Sequence, residues 1–481
     1  MKLSALLLVA CFAGTAFAEP EVDEDRPTAH RARVPLTMLE QLSLIIPPMA
    51  YYWSTTDVQA VDFDMDWDWG SWKRKLTSAD AYILDTNDWE SNATRHPLAG
   101  YLAYQIGRAN GFAPLGSVGM ALGTSALWEY LVEYKELISV NDLVVNTGSA
   151  FAIGEPLFQL GRLADERGAR WTRQGLGLLT SPYHRVHAWH GYSSWGPRGP
   201  RWAQLEAALG AATGSHDEGT WSDARVALDL ELVTDRRYGR PGSSVARFGP
   251  GSWNRVVADV RVAADAPSTF RFATQTTFAG RYTREIDDTG SGTDWFLGTA
   301  TGADYLSQRL ASEWDSTFVM HLLGPRLALG HWRDGYRVTW ELAGYADLGM
   351  TDAHVFGPEP AFPPEPLFNV LQVRGYYYAA GLSIATRLRA DTPRWTAELE
   401  GRAFQLWSID GLDRVEMNGS DLDPHDVSDQ RAFARGALGA RVSRDLRLEL
   451  AIEAALRRGT WQQRERVTTE LASTASLVMP F

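Results

Sequence analysis

Five residues in the first third of the chain have the types that move protons: His96, Glu129, Asp142, Asn146 and Glu155. A histidine with carboxylates in reach is an acid/base set, suited to an ester or a glycan. All five stand in stretches that are otherwise small and apolar: HPLAGYLAYQIGRANG (96–111), GSVGMALGTSALWEYLVEYKE (116–136) and SVNDLVVNTGSAFAIGEPLFQLGRLADERG (139–168). Asp142 and Asn146 are four apart, hence on one helix face. Buried polar groups need partners, so the same five residues equally compose a hydrogen-bonded network that fixes helix register. No serine elbow and no zinc-protease motif accompanies them.

A second group, HRVHAWH, spaces His184, His187 and His190 at three-residue intervals. On a helix these lie roughly along one side and offer zinc or copper ligands. With Trp189, Tyr192 and Trp195 nearby, the same residues also suit an interface. A third group, VDFDMDWDWG (61–70), puts Asp62, Asp64, Asp66 and Asp68 on one face of an extended chain, opposite Val61, Phe63, Met65, Trp67 and Trp69. A calcium loop wants glycine at its sixth position and glutamate at its twelfth. Counted from Asp64, those positions hold Trp69 and Lys75, so the stripe is expected to be an acidic amphipathic strand, partly neutralised by WKRK at 72–75. No cofactor is implied.

The elements that must position these residues are helices between Arg95 and Gly168. Pro97 is permitted in a first helical turn, Gly111 stops that helix, and Ser139 with Asp142 makes a cap with an acid in its first turn. Gly119-x-x-x-Gly123 offers a small-residue face for close helix contact. This run also resembles a bacterial family known only as domain of unknown function 3943. The likeness covers roughly residues 85 to 165 and rests on Asn92, His96, Pro97, Gly100, Tyr104, Trp128, Glu129, Asn141, Asp142, Leu143, Gly154 and Glu155. Members often carry a second histidine just before the first glycine of the motif; here that residue is Ala99, which weakens any mechanism needing two histidines there. The resemblance implies a cell-envelope protein and supplies no established activity.

MKLSALLLVACFAGTAFAEP has the charge, apolar run and A-x-A site of a cleaved secretory signal over residues 1–18. A competing lipobox, Leu8-Val9-Ala10-Cys11, has a very short apolar run before it. Cys11 is the only cysteine, so a chain cut after Ala18 has neither disulfides nor thiolate metal sites. Loss of Lys2 takes the formal charge from -13 to -14, which argues against nucleic-acid binding. The 19 Trp fit a membrane-interface belt or a carbohydrate face.

From about Trp202 the hydrophobic period is two. In ARVALDLELV, Val226, Leu228, Leu230 and Leu232 oppose Arg225, Asp229 and Glu231; in DLRLELAIEAAL, Leu446, Leu448, Leu450 and Ile452 oppose Arg447, Glu449 and Glu453. Runs of about ten such residues cross a bilayer as tilted strands. The chain stops at LASTASLVMPF, whose terminal Phe481 resembles the signal read by the barrel assembly machinery. The expected fold is mainly β: an antiparallel transmembrane β-barrel of about 12 strands preceded by a small helical module. The expected order is signal peptide 1–18, an N-terminal region 19–84 with the acidic strand, helical module 85–170, a His/Trp-rich linker 171–200, and barrel 201–481. Inward faces that mix Arg with Asp and Glu predict a lumen that is narrow or helix-plugged. The expected protein is a transport or structural barrel of the Gram-negative outer membrane, touching its lipids and no nucleic acid. An outer-membrane enzyme working through His96, or a soluble periplasmic binding protein, are the alternatives.

Overall fold

The computed structural model describes residues 32–55, 66, 68–85, 87–167, 170–192, 200–216, 219–263, 267–310, 313–333, 335–356, 375–409 and 427–480. The segment expected as a signal peptide, most of the acid stripe and Phe481 lie outside them.

The N-terminal part is mainly helical. It runs through α1 (Val34–Thr55), α2 (Trp69–Thr77), the two-residue β1 (Tyr82–Ile83), α3 (His96–Ala109), α4 (Pro114–Leu127), β2 (Ile138–Ser139), α5 (Val140–Ala152), α6 (Gly154–Arg167), α7 (Arg170–Thr180) and α8 (Pro182–Trp189). Two expectations are corrected here. The end of the acid stripe opens a helix: Asp68 accepts the Ser71 amide at 2.7 Å as the N-cap of α2, because a short carboxylate before a helix satisfies an otherwise orphaned N–H. The stretch expected as a linker holds α7 and α8. Close helix contact also falls elsewhere than at Gly119 and Gly123, where an added Cβ would meet nothing within 4 Å. It falls at Gly100 of α3, where a Cβ would stand 2.0 Å from the Asn146 carbonyl oxygen of α5.

From Trp202 the alternating segments form β3 (Trp202–His216), β4 (Gly219–Val233), β5 (Gly242–Phe248), β6 (Trp253–Val262), β7 (Pro267–Ile286), β8 (Gly292–Leu310), β9 (Glu313–Arg333), β10 (Tyr336–Asp352), β11 (Tyr376–Asp391), β12 (Trp395–Ser408), β13 (Ser428–Ser443), β14 (Leu446–Trp461) and β15 (Arg464–Pro480). All pairings among them are antiparallel. β15 returns to β3, and β7 pairs with β8, so twelve strands close into a barrel. The thirteenth, β5, lies along the second half of β7 in line with β6. The expected twelve-strand antiparallel barrel with a preceding helical region is therefore the fold.

Side-chain alternation decides which face is which. Val226, Leu382, Leu399, Leu450 and Ile452 are among the exposed residues of the outer wall, while Arg225, Asp259, Arg387 and Glu449 of the opposite parity are buried inside. Parity inverts within two strands, where β7 has an extra residue at Phe278 and β9 an extra residue beside Leu322 and Leu323. Such bulges bend a strand and re-aim its side chains.

Among the described residues, those that pack the lumen belong to the barrel itself. At the end with short turns, Tyr238 of the 234–241 connection packs its ring 4.9 Å from Trp202 and 5.1 Å from Trp253. Phe248, Tyr282 and Phe296 complete this layer, and Arg326 stands over Trp253 at 4.1 Å. The middle is crossed by ion pairs. Arg387 of β11 reaches Asp229 of β4 at 3.1 Å, and Arg255 of β6 reaches Glu400 of β12 at 3.5 Å; in both cases the partners stand on opposite walls. At the other end, Val319, Tyr377, Leu406 and Val427 pack together. Cavities of about 200 Å³ and about 80 Å³, lined by charged and apolar residues alike, remain between these layers.

The sequence left open whether the helices fill the lumen or sit beneath it. Packing puts the described ones on the outer wall. Leu160 of α6 meets Leu230, Leu232 and Val256, Val145 and Ala152 of α5 meet Ala303, Phe318, Met320 and Met350, and Phe151 meets Phe278 edge-on at 6.1 Å. These wall residues share the outward parity of Val226 and Leu382. The physical reason is complementarity: the lumen is charged and self-paired, whereas both the wall and the helix faces are apolar. On the side away from the barrel, α1 leaves Met38, Leu39, Leu42 and Ile46 exposed.

Candidate functional site

Three of the five proton-moving residues come together where β1, α3 and the start of α5 converge. The helix α3 begins at His96, directly after a five-residue wide turn, Ser91–Arg95. This turn aims Asn92 inward, and the β1–β2 pair brings Asp85 alongside Ser139. His96 Nε2 lies 3.3 Å from Asp142 Oδ1, with the Asp142 side chain 4% exposed. Asp85 joins them: one ligating atom from each of Asp85, His96 and Asp142 lies within 4.8 Å of the others. Asp85 Oδ1 accepts hydrogen bonds from Asn92 Nδ2 at 2.8 Å, Asn141 Nδ2 at 3.2 Å and the Tyr378 hydroxyl at 2.8 Å.

Two of the partners belong to the barrel. Asn92 Nδ2 also donates to the hydroxyls of Tyr376 at 2.9 Å and Tyr378 at 2.6 Å, and the Tyr376 hydroxyl donates to the Asn87 carbonyl at 2.6 Å. The site is therefore completed by the outer wall of β11.

Behind Asp142 lies a second layer of buried charge. Glu129 Oε2 accepts the Ser139 amide at 2.8 Å, and Lys75 Nζ donates to the Glu129 and Glu133 carbonyl oxygens at 2.8 and 2.7 Å. Burial pushes the Glu129 carboxyl up to about 8 and pulls the Lys75 ammonium down to about 8. Burial, and then the charges of Asp85 and Glu129, hold the Asp142 carboxyl well above the usual carboxylate range. Burial lowers His96 as well, against the pull of Asp85. The set thus holds more acid than base, and desolvation favours the neutral form of each group.

The other sequence candidates stand elsewhere. Asn146 donates to Ser125 at 3.0 Å, one turn beyond Asp142. Glu155 forms its own buried network, accepting from Arg108 Nε at 2.9 Å and Gln159 Nε2 at 2.6 Å. It also rests on Gly251 between β5 and β6, whose φ of +77 and lack of a Cβ leave it room. The three-histidine metal expectation is corrected. His184 Nε2 pairs with Asp165 at 2.6 Å and His187 Nε2 with Glu40 at 2.6 Å, while His190 is exposed at the helix end. Each buried ring has taken a separate carboxylate, and among the described residues no metal-sized group forms around them. Asp85, Tyr376 and Tyr378 were missed; DTND at 85–88 looks like a plain turn, and tyrosines opening a strand look like wall.

A closed antiparallel barrel with an apolar outer wall, a self-paired lumen and a helical region clasped to that wall is the class of protein these features define. Residues 81–183 match the model of a family described as Domain of unknown function (DUF3943), the span that holds His96, Glu129, Asp142 and their partners. No curated protein matches the chain. Among solved structures it is similar to the translocator domain of autotransporter NalP from Neisseria meningitidis, with 9% identity over 58% of this chain and 88% of that one and a TM-score of 0.21. It is similar to the Pseudomonas putida toluene transporter TodX (8%, 58% and 90%, TM-score 0.23) and to a loop-deletion mutant of OmpT, an outer membrane protein of Vibrio cholerae (5%, 58% and 99%, TM-score 0.22).

Proposed function

We propose that this chain is an outer-membrane barrel of structural type, whose lumen is not a diffusion pore and whose working surface is the wall that carries the helices. The observation that carries this is the pairing of Arg387 with Asp229 and Arg255 with Glu400 across the full width of the lumen, between two packed apolar layers. Opening a path would separate buried charges, which costs several kcal/mol for each one left alone. Membrane lipid is the natural solvent for the exposed apolar wall and for the outer face of α1. The test is conductance in planar bilayers with protein shown to be folded by a heat-dependent gel shift. The expected result is membrane insertion without steady current. A stable open channel in the wild type would overturn the proposal.

A second reading, an enzyme acting on lipid or glycan, is favoured by one observation: the His96–Asp142 pair stands in the wall-bound region, with His96 partly open at 19% side-chain exposure. Its test is envelope lipid and glycan analysis of His96→Ala cells. A lost modification with normal barrel assembly supports it, and an unchanged profile sinks it.

A further inference from the structure

We infer that Asp85, His96 and Asp142 form a binding site for a divalent first-row metal ion of the zinc or manganese kind. Four observations converge. Two carboxylates and one imidazole from separate elements bring their ligating atoms within 4.8 Å of each other, the donor mix that zinc and manganese accept and that all-oxygen calcium sites do not use. Around them stands a supporting layer: Asn92, Asn141 and Tyr378 donate to Asp85 Oδ1, and Asn141 Nδ2 donates to Asp142 Oδ1 at 2.8 Å. Donors of this kind hold a ligand carboxylate in one orientation.

The independent sign is Glu129. It is 1% exposed, and its Oε1 has no hydrogen-bond partner. Its Oε2 is held by the amide of Ser139, the residue whose hydroxyl reaches Asp85 at 3.3 Å. A buried carboxylate oxygen without a partner carries a large desolvation penalty, and Glu129 feels the charge of Asp85, so positive charge held at Asp85 would lessen it. Charge points the same way: Asp85, Glu129 and Glu133 all act on Asp142, while Lys75 stands among Glu129, Glu133 and Glu136.

The experiment uses the full-length barrel in detergent, stripped with a chelator and then dialysed against buffered Zn2+ or Mn2+ alone, with bound metal counted by mass spectrometry. One equivalent is expected, weakened by about 100-fold or more in His96→Ala and in Asp142→Asn. A His184→Ala/His187→Ala variant should bind as the wild type does. Heat-dependent gel mobility and helical circular dichroism establish that each variant is folded. Folded wild-type protein that takes no metal overturns the inference. So does a site that survives His96→Ala or follows His184 and His187. Should the variants fail to fold, pulsed electron paramagnetic resonance of the Mn2+-loaded wild type decides: nitrogen coupling from one imidazole supports the site, and its absence overturns it.

Discussion

If the helical region is held to the outside of the barrel by the two tyrosines of β11, removing their hydroxyls should release it while leaving the barrel whole. The double variant Tyr376→Phe/Tyr378→Phe loses two donated bonds, one to the Asn87 carbonyl and one to the Asp85 carboxylate. It also takes two acceptors from Asn92. A neutral bond is worth about 1 kcal/mol and one to a carboxylate about 2 kcal/mol, so the variant should lose about 3 kcal/mol of clasping energy. At 1.36 kcal/mol per factor of ten, the open fraction rises by about 150-fold. Limited trypsin digestion measures this, because cleavage tracks the open population when closing is faster than cutting. Sites in the helical region should be cut about two orders of magnitude faster, with the barrel fragment and its gel shift unchanged. Tyr377 is the control. It faces the lumen and donates to Asp429 at 3.1 Å, so Tyr377→Phe should not speed cleavage of the helices. Wild-type cleavage rates in the double variant, or equal acceleration by Tyr377→Phe, would refute the outward placement.

Gly100→Val forces side-chain atoms against the Asn146 carbonyl and Ser149, and should lower helical-region stability by at least the roughly 1–3 kcal/mol typical of overpacking, read as an earlier helical melt. Arg387→Ala leaves Asp229 and Glu398 each short of a partner, and should cost about 3–5 kcal/mol in urea unfolding and raise bilayer current above the wild-type baseline. The pH dependence has a defined sign. The Glu129 carboxyl is raised from 4.5 to about 8, so its contribution is present at pH 4.5 and is lost as pH rises through about 8. Lys75, lowered from 10.5 to about 8, adds the opposite slope between about 8 and 10.5. In chelator, the melting temperature of the helical region should therefore fall from pH 5 to pH 8 and recover above it, and Glu129→Gln should flatten the falling limb.

The barrel was legible because its signal is local. Alternation in segments such as 225–233 and 446–456 needs no knowledge of neighbours, and twelve closing strands follow from counting them. What was not legible depends on pairs distant in sequence. Leu230 and Leu232 carry the same alternation as Val226, yet α6 covers the first two and leaves the third exposed. His187 looked like one of three ligands because its partner, Glu40, lies 147 residues away. His96, Glu129 and Asp142 were identified from residue type in small, apolar helices, whereas Asp85 and the tyrosines some 290 residues beyond it meet only through the closed fold. Asp68 belonged to a stripe with strand periodicity, but the helix it caps begins one residue later.

The two bulges have a consequence for how such a chain can change. Before Phe278, β7 turns its odd-numbered residues inward; after it, Tyr282 and Arg284 face the lumen instead. Deleting Phe278 would leave the ladder continuous but exchange inside for outside over the rest of that strand, sending Arg284 to the outer wall. The extra residue beside Leu322 does the same for β9. Single-residue insertions and deletions in β7 and β9 thus behave like frameshifts in a two-letter code. Relatives that differ in length there should differ by two residues, or by one in each half of a strand, and their substitutions should keep to the phase each half inherits.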